Sequence, residues 1–368
     1  MRIAIVLNTS WNIYNFRMGL VQSLLEHGHE VVAVAPKDEY THYLIDAGCE
    51  FEEVKMDSRG ANVLKDMGLI FELWSIYRKI KPDVVLHYTI KPNIYGTFAA
   101  SMLRIPSVNN VCGLGTAFLN KGLVSRVALA MYKLAFRFPK LIYFQNNDDK
   151  KFFDEKNITR NNATQVLPGS GINLNHFTPA EGTKNKRFTF LLISRLIHDK
   201  GILEYIDAIK LLKEKGVEAN FQILGNKDIE HKRGIAEEII NDWIDNNIIE
   251  YLGSTDDVRP YINQADCVVL PSYREGTPRS LLEAASSAKP IIATNVAGCT
   301  NVVEDKVNGL LCNVKDAKDL ADKLEEMANL PSERIKEMGS ASRKLVEERF
   351  DERIVIDSYL NTISSLQK

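Results

Sequence analysis

The sequence predicts an α/β protein of two doubly wound domains, each a parallel sheet covered by helices on both faces. Three observations predict it. Strand-length apolar runs alternate with helix-length amphipathic stretches from the first residue. The runs are nearly continuous in Val, Ile and Leu, as strands buried on both faces are. The alternation also stops once near the middle, in a Gly/Pro-rich and then polar stretch, and starts again. A chain of 368 residues is long for one core and comfortable for two.

Taken in order, residues 3–7 read as a first strand, followed by a glycine-free loop over 8–17. Residues 16–27 form a helix, with Leu20, Leu24 and Leu25 on one face. Further strands are expected at 31–35, 51–54, 84–88 and 141–145. The segment 167–173, with Pro168, Gly169 and Gly171, breaks the pattern, and 178–187 is polar and linker-like. A second series then begins: a strand at 188–194 and an amphipathic helix at 201–215. Strands at 221–224, 249–252, 267–270 and 290–293 follow, with a helix at 280–288. The helical pattern at 349–367 is expected to pack back on the first domain. The domains are therefore drawn at 1–168, 169–348 and 349–368, with a cleft between the two sheets.

Charged residues at 26% and hydrophobic ones at 45% exclude a disordered or membrane-spanning class. No apolar run approaches the roughly 18 residues a spanning helix needs. The N-terminus reads as a strand rather than a signal peptide. Five scattered cysteines without a C-x-x-C suggest reduced thiols and a cytoplasmic setting. Residues 1–165 hold 20 Lys+Arg against 16 Asp+Glu, and the rest 26 against 32, so charge is partitioned by domain. Residues 84–147 contain seven cations and no carboxylate.

Two strand–helix junctions of the second half gather the chemistry. Ser194 and Arg195 end one strand, and Lys200-Gly201 opens the next helix. At the carboxyl edge of a parallel sheet, such cations offer a diphosphate a guanidinium fork and an ammonium. For the cations alone, a solvated pair bracketing a helix start is the alternative. Glu275 and Glu283 follow, in Glu275-Gly276-Thr277-Pro278-Arg279-Ser280-Leu281-Leu282-Glu283. One carboxylate is expected on a loop and the other inside the helix behind it. A helix start there favours an anion, and the carboxylates suit the hydroxyls of a ribose and a hexose. No Asp-x-Asp and no His/Cys cluster occurs, so neither a metal nor a cofactor is expected.

In the first half, His87 stands at the carboxyl end of a strand as the candidate catalytic residue of that half, with Lys91 and Asn93 on the loop after it as candidate acceptor-binding residues. A lone histidine of this kind is a structural residue or a contact for sugar hydroxyls. Residues 109–116 form another strand-end loop, where Gly113 and Gly115 permit close backbone approach.

The set Ser194-Arg195, Lys200-Gly201, Leu224-Gly225, Tyr251-Leu252-Gly253, residues 271–278 and Glu283-Ala284 resembles the family 4 retaining glycosyltransferases. The likeness covers essentially the whole chain and implies their GT-B fold of two Rossmann-like domains. It implies a UDP-sugar donor, with Glu275 facing the sugar and Glu283 the ribose. Arg195 and Lys200 would hold the diphosphate beside Ser194, and Arg279 and Ser280 would offer it backbone N–H groups. Gly253 to Val258 would lie near the base. The chain departs from the family in Ser194, where glycine is common, and in the glycine-free loop after its first strand.

Residues 83–96 and 109–116 resemble the CapM/PglA-like branch of that family. This implies transfer of an N-acetylated hexose to an undecaprenyl-diphosphate-linked saccharide at the inner membrane face, in capsule, O-antigen or glycan synthesis. The donor would be a UDP-N-acetylhexosamine. Residues 118–140, read as one helix, put Arg126, Lys133, Arg137 and Lys140 on a basic stripe beside apolar surface. That suits an anionic bilayer interface. A buried helix with snorkelling cations is the alternative, and nucleic acid fits worse, since no recognised motif accompanies it. Two rival functions share the donor site: a GT-B epimerase acting on UDP-N-acetylhexosamine, and a non-catalytic nucleotide-sugar-binding protein.

Overall fold

A computed structural model describes residues 1–57, 63–113, 123–160, 162–180 and 186–367. The chain divides into two units: Met1–Ser170 together with Glu352–Lys368, and Gly171–Asp351.

The first unit runs β1 (Arg2–Val6), α1 (Ser10–Glu26), β2 (Glu30–Ala35), α2 (Thr41–Asp46), β3 (Glu50–Glu53), α3 (Val63–Ile80) and β4 (Val84–Tyr88). After a single π-helical turn at Pro92–Gly96 come α4 (Thr97–Met102), β5 (Ser107–Val111), α5 (Leu123–Ala135), β6 (Leu141–Phe144), α6 (Asn147–Glu155) and β7 (Ala163–Val166). The strands form one sheet in the order β3-β2-β1-β4-β5-β6-β7, every pair parallel. Alternate side chains of β1 serve opposite faces. Ile3 and Ile5 pack with Leu20 and Leu24 of α1, while Ala4 and Val6 join Leu73 and Tyr77 of α3. Burying each such Ile or Leu contributes about 1.5–3 kcal/mol.

Three sequence expectations are corrected here. The loop expected at 8–17 is mostly helix: the Thr9 side chain accepts the Asn12 N–H at 3.1 Å, which starts α1 six residues early. Asn109 and Asn110, expected in a loop, lie inside β5 with every residue buried. The basic stripe is not one helix. Its residues 118–122 lie outside the described residues, and α5 stops at Ala135. Pro139 has no N–H and disfavours helix at Phe138, so Arg137 and Lys140 sit on the turn into β6.

The second unit runs β8 (Phe188–Ile193), α7 (Ile202–Glu214), β9 (Ala219–Leu224), α8 (Glu237–Asp245), β10 (Glu250–Tyr251), α9 (Arg259–Gln264) and β11 (Cys267–Leu270). It continues with α10 (Arg279–Ser286), β12 (Ile291–Thr294), β13 (Gly309–Cys312), α11 (Ala317–Ala328) and α12 (Ser332–Arg349). Its parallel sheet has the order β10-β9-β8-β11-β12-β13. Phe190 and Leu192 face α7 and α11, and Leu191 faces the α10 side.

The last helix, α13 (Glu352–Leu366), belongs to the first unit. Val355, Tyr359 and Ile363 enter the core between α1 and the sheet. Tyr143 donates to the Ser358 carbonyl at 2.9 Å, and Asn110 donates to the Tyr359 hydroxyl at 2.9 Å.

Candidate active site

In the second unit the expected site residues gather at the carboxyl edge of the sheet. Lys200 closes a short 3-10 turn, and Gly201, at φ +71, starts α7. A Cβ on Gly201 would stand 2.0 Å from the Pro271 carbonyl oxygen, so only glycine lets α7 begin against the end of β11. That approach carries Lys200 to the loop between β11 and α10, where its Nζ meets Glu275 Oε1 at 2.5 Å. Both side chains are largely buried, so the pair is held rather than solvated. Gly298, after β12, presses on the same loop from behind: a Cβ there would lie 2.5 Å from the Gly276 oxygen.

Thr294 donates to the Ser272 carbonyl at 2.5 Å and pins the start of this loop. Pro278, the residue before α10, gives it no side-chain cap. Arg279 and Ser280 form its first turn, where the helix dipole favours an anion. Glu283 lies one turn further and accepts from Arg279 Nε at 3.1 Å. Burial pushes the Glu283 carboxyl up, and the Arg279 guanidinium offsets part of that rise. Arg279 also donates to the Gly171 carbonyl at 2.9 Å, which fixes its fork. The glutamates thus divide as expected, one on the loop and one in the helix.

Arg195 follows β8 with a half-exposed side chain, and its Nη1 pairs with buried Asp228 at 3.1 Å. Ser194 donates its N–H to the Leu224 carbonyl, and Gly225 donates to the Gly253 carbonyl at 2.7 Å. The ends of β8, β9 and β10 therefore meet at Ser194, Gly225 and Gly253, and Val258 leads from there into α9. Sequence reasoning missed Asp228, which nothing in its local pattern signals. It also missed Gly298, although the turn Ala297-Gly298-Cys299 after a strand is a visible cue.

The first unit corrects several acceptor-side expectations. His87 is fully buried: its Nε2 lies 2.9 Å from the Tyr77 hydroxyl, and its Nδ1 lies 3.4 Å from Asn109 and from Thr97. Burial lowers its pKa to about 3, so it stays neutral and supports β4 instead of touching a sugar. Asn93 is also buried and donates to the Asn110 carbonyl at 2.8 Å. The ammonium of Lys91 is tied to Asp66 at 2.6 Å, with both side chains mostly buried. Gly113 follows β5 with φ +114, and Gly115 lies outside the described residues.

A different residue occupies the carboxyl edge of this sheet. Arg17, in the second turn of α1, is 96% buried and lays its guanidinium 4.4 Å from the centre of the Tyr88 ring. Its Nη2 is 3.8 Å from Cys112 Sγ and its Nη1 is 3.3 Å from the Phe16 carbonyl.

Two parallel open sheets, one carrying cations and a helix start beside paired carboxylates, define a class of enzyme that handles nucleotide sugars. Residues 187–329 match the family model of glycosyl transferases group 1, and residues 2–146 match that of glycosyl transferase 4-like proteins. The chain belongs to these GT-B glycosyltransferases. It is 29% identical to the N,N'-diacetylbacillosaminyl-diphospho-undecaprenol alpha-1,3-N-acetylgalactosaminyltransferase of Campylobacter jejuni, over 98% of this chain and 97% of the relative. It is 26% identical to the capsular polysaccharide biosynthesis glycosyltransferase CapM of Staphylococcus aureus, over 83% of each. Among solved structures, a glycosyltransferase of Rickettsia africae superposes with a TM-score of 0.79 at 19% identity, covering 100% of this chain and 98% of that one. HepE of Anabaena, solved with UDP, gives 0.78 at 18% identity, covering 99% of this chain and 100% of that one.

Proposed function

We propose that this glycosyltransferase moves an N-acetylated hexose from a UDP donor to a saccharide carried on a lipid diphosphate, with retention at the anomeric carbon. The observation that carries the reading is the Lys200–Glu275 pair at 2.5 Å, beside the start of α10. It joins a cation suited to a departing diphosphate with a carboxylate suited to sugar hydroxyls. The lipid-linked acceptor and the N-acetyl group are drawn from the Campylobacter relative, whose printed activity uses both.

In this reading Arg195, Lys200 and the α10 N-terminus neutralise charge as the glycosyl–phosphate bond ionises, with no metal required. Ser194 lies beside the diphosphate, and Arg279 and Ser280 offer it their backbone N–H groups. Glu275 orients the hexose, and Glu283 receives the ribose hydroxyls. The acceptor attacks the face from which the diphosphate leaves, and a phosphate oxygen takes its proton. Gly253 to Val258 flank the base.

The enzyme is further proposed to rest on an anionic membrane surface. Arg104 and Lys140 line a hollow of about 280 Å³ with Phe138, whose ring is half exposed. Arg126 and Arg137 are exposed nearby in sequence, and apolar contact beside cations suits an interface. Among the described residues, no helix is long and apolar enough to cross a membrane.

The test is incubation of UDP-N-acetylglucosamine or UDP-N-acetylgalactosamine with a short-chain polyprenyl-diphosphate saccharide, with and without EDTA. An α-linked, elongated product, unchanged by EDTA, is expected. Epimer formation with donor alone, or transfer only from donors lacking the N-acetyl group, would overturn the reading.

A further inference from the structure

The buried guanidinium of Arg17 is used by nothing described so far. Arginine stays charged in proteins, and a buried charge normally has a counter-ion. Arg17 has a ring face, a thiol and a neighbouring peptide carbonyl instead, and its Nε meets no acceptor. Among the described residues no carboxylate pairs with it. Three strand ends converge on the spot: α1 follows β1, Tyr88 ends β4, and Cys112 follows β5. Between β1 and β4 the sheet order reverses, with β2 and β3 on one side and β5 to β7 on the other. The crevice at such a reversal is where open parallel sheets bind ligands.

The rim of this crevice shows the marks of a site. Thr89, a β-branched residue, holds φ +62, and its buried hydroxyl has no partner. Gly113, next to Cys112, holds φ +114. A guanidinium offers parallel N–H donors matched to phosphate oxygens.

We propose that Arg17 binds a substrate diphosphate at the point where the first sheet reverses. This rests on the proposed function, which supplies two diphosphates, one on the donor and one on the lipid-linked acceptor. Tyr88 stacks beneath the guanidinium, with the Tyr359 ring packed 6.0 Å from that of Tyr88.

Cys112 reports on the site without any substitution, because it is the one cysteine of five that is not buried. Alkylation of the wild-type thiol is followed alone, with inorganic pyrophosphate, with UDP, and with the polyprenyl-diphosphate saccharide. At least one diphosphate is expected to slow labelling about tenfold, and the ligand that does so identifies the source. The second arm compares wild type with Arg17→Lys and Arg17→Gln, on the diphosphate acceptor and on the same saccharide carried by an uncharged alkyl chain. Loss of a buried charge partner should raise KM for the matching diphosphate substrate by about 30-fold or more, with Arg17→Lys recovering part of it. The KM for the uncharged acceptor should stay unchanged if the acceptor is the source. If it is the donor, the KM for UDP-sugar should move instead. Unprotected labelling in the wild type would overturn the proposal, as would folded variants with unchanged KM values for both diphosphates. Transfer by the wild type in either case would leave the proposed function standing.

Discussion

His87 shows how one residue's surroundings reverse its sequence-level reading. The imidazole protonates near 6.5 in the unfolded chain, but in the fold burial holds it neutral down to about 3. Between those values the unfolded state binds more protons. Stability is therefore full above about pH 6.5 and falls by about 1.4 kcal/mol for each unit below it. Urea denaturation at pH 7.5 and 5.5 should show His87→Gln losing about 1.4 kcal/mol less than wild type over that interval; equal losses would contradict this. Activity should show no limb near pH 6.5 that His87→Gln abolishes. Glu275→Gln removes the charge facing Lys200 while keeping the shape, and should lower kcat by roughly 10²–10³-fold with little change in melting temperature. A variant within threefold of wild type would remove Glu275 from the reaction. The residues proposed for the donor side could be grouped from the sequence because their order along the chain is itself a pattern, Arg195, Lys200, Glu275, Glu283. Arg17 was not, because its significance lies in having no carboxylate nearby, a property only the fold reveals.

Among the elements, strands made of continuous Val, Ile and Leu were read correctly, since no other residue pattern suits burial on both faces. β5 escaped because Ser107-Val108-Asn109-Asn110-Val111 is too polar to read as a buried strand. Its asparagines tolerate burial through side-chain bonds: Asn109 donates to Thr97 at 2.7 Å, and Asn110 donates to Tyr359 at 2.9 Å. Tyr359→Phe leaves the Asn110 amide without that acceptor and should cost about 1–3 kcal/mol by denaturant midpoint, against about 3–5 for Tyr359→Ala. Equal effects would show that the ring alone matters. α7 depends on its first residue in the same sharp way. Gly201→Ala forces the backbone away from Pro271, and so should reduce kcat by separating Lys200 from Glu275. If transfer rates match wild type, that close approach does not position the pair.

At the scale of the whole molecule, each unit has its own sheet and its own cores, so each can respond separately to ligand. UDP at a hundred times its Kd should stabilise the protein by about 2.7 kcal/mol. Hydrogen exchange should slow most at the start of α10 and in the loop carrying Glu275, within Gly171–Asp351. Uniform slowing over both units, with none concentrated there, would contradict a donor site on this sheet edge. The charge partition between halves was visible in the sequence, whereas the ending of α5 at Ala135 was not. A single proline, four residues past the end of α5, takes two cations off the helix.

The return of α13 to the first unit has a consequence for how the protein is made. Residues 1–170 leave the ribosome before 171–351, but their core lacks Val355, Tyr359 and Ile363 until the residues of α13 have followed. During translation the Gly171–Asp351 unit has all its own residues earlier than its neighbour does, so the part begun first is finished last. Until then the face of β4, β5 and β6 that α13 meets stays open, a surface with a claim on chaperones. Shortening the chain by its final helix would make that transient state permanent.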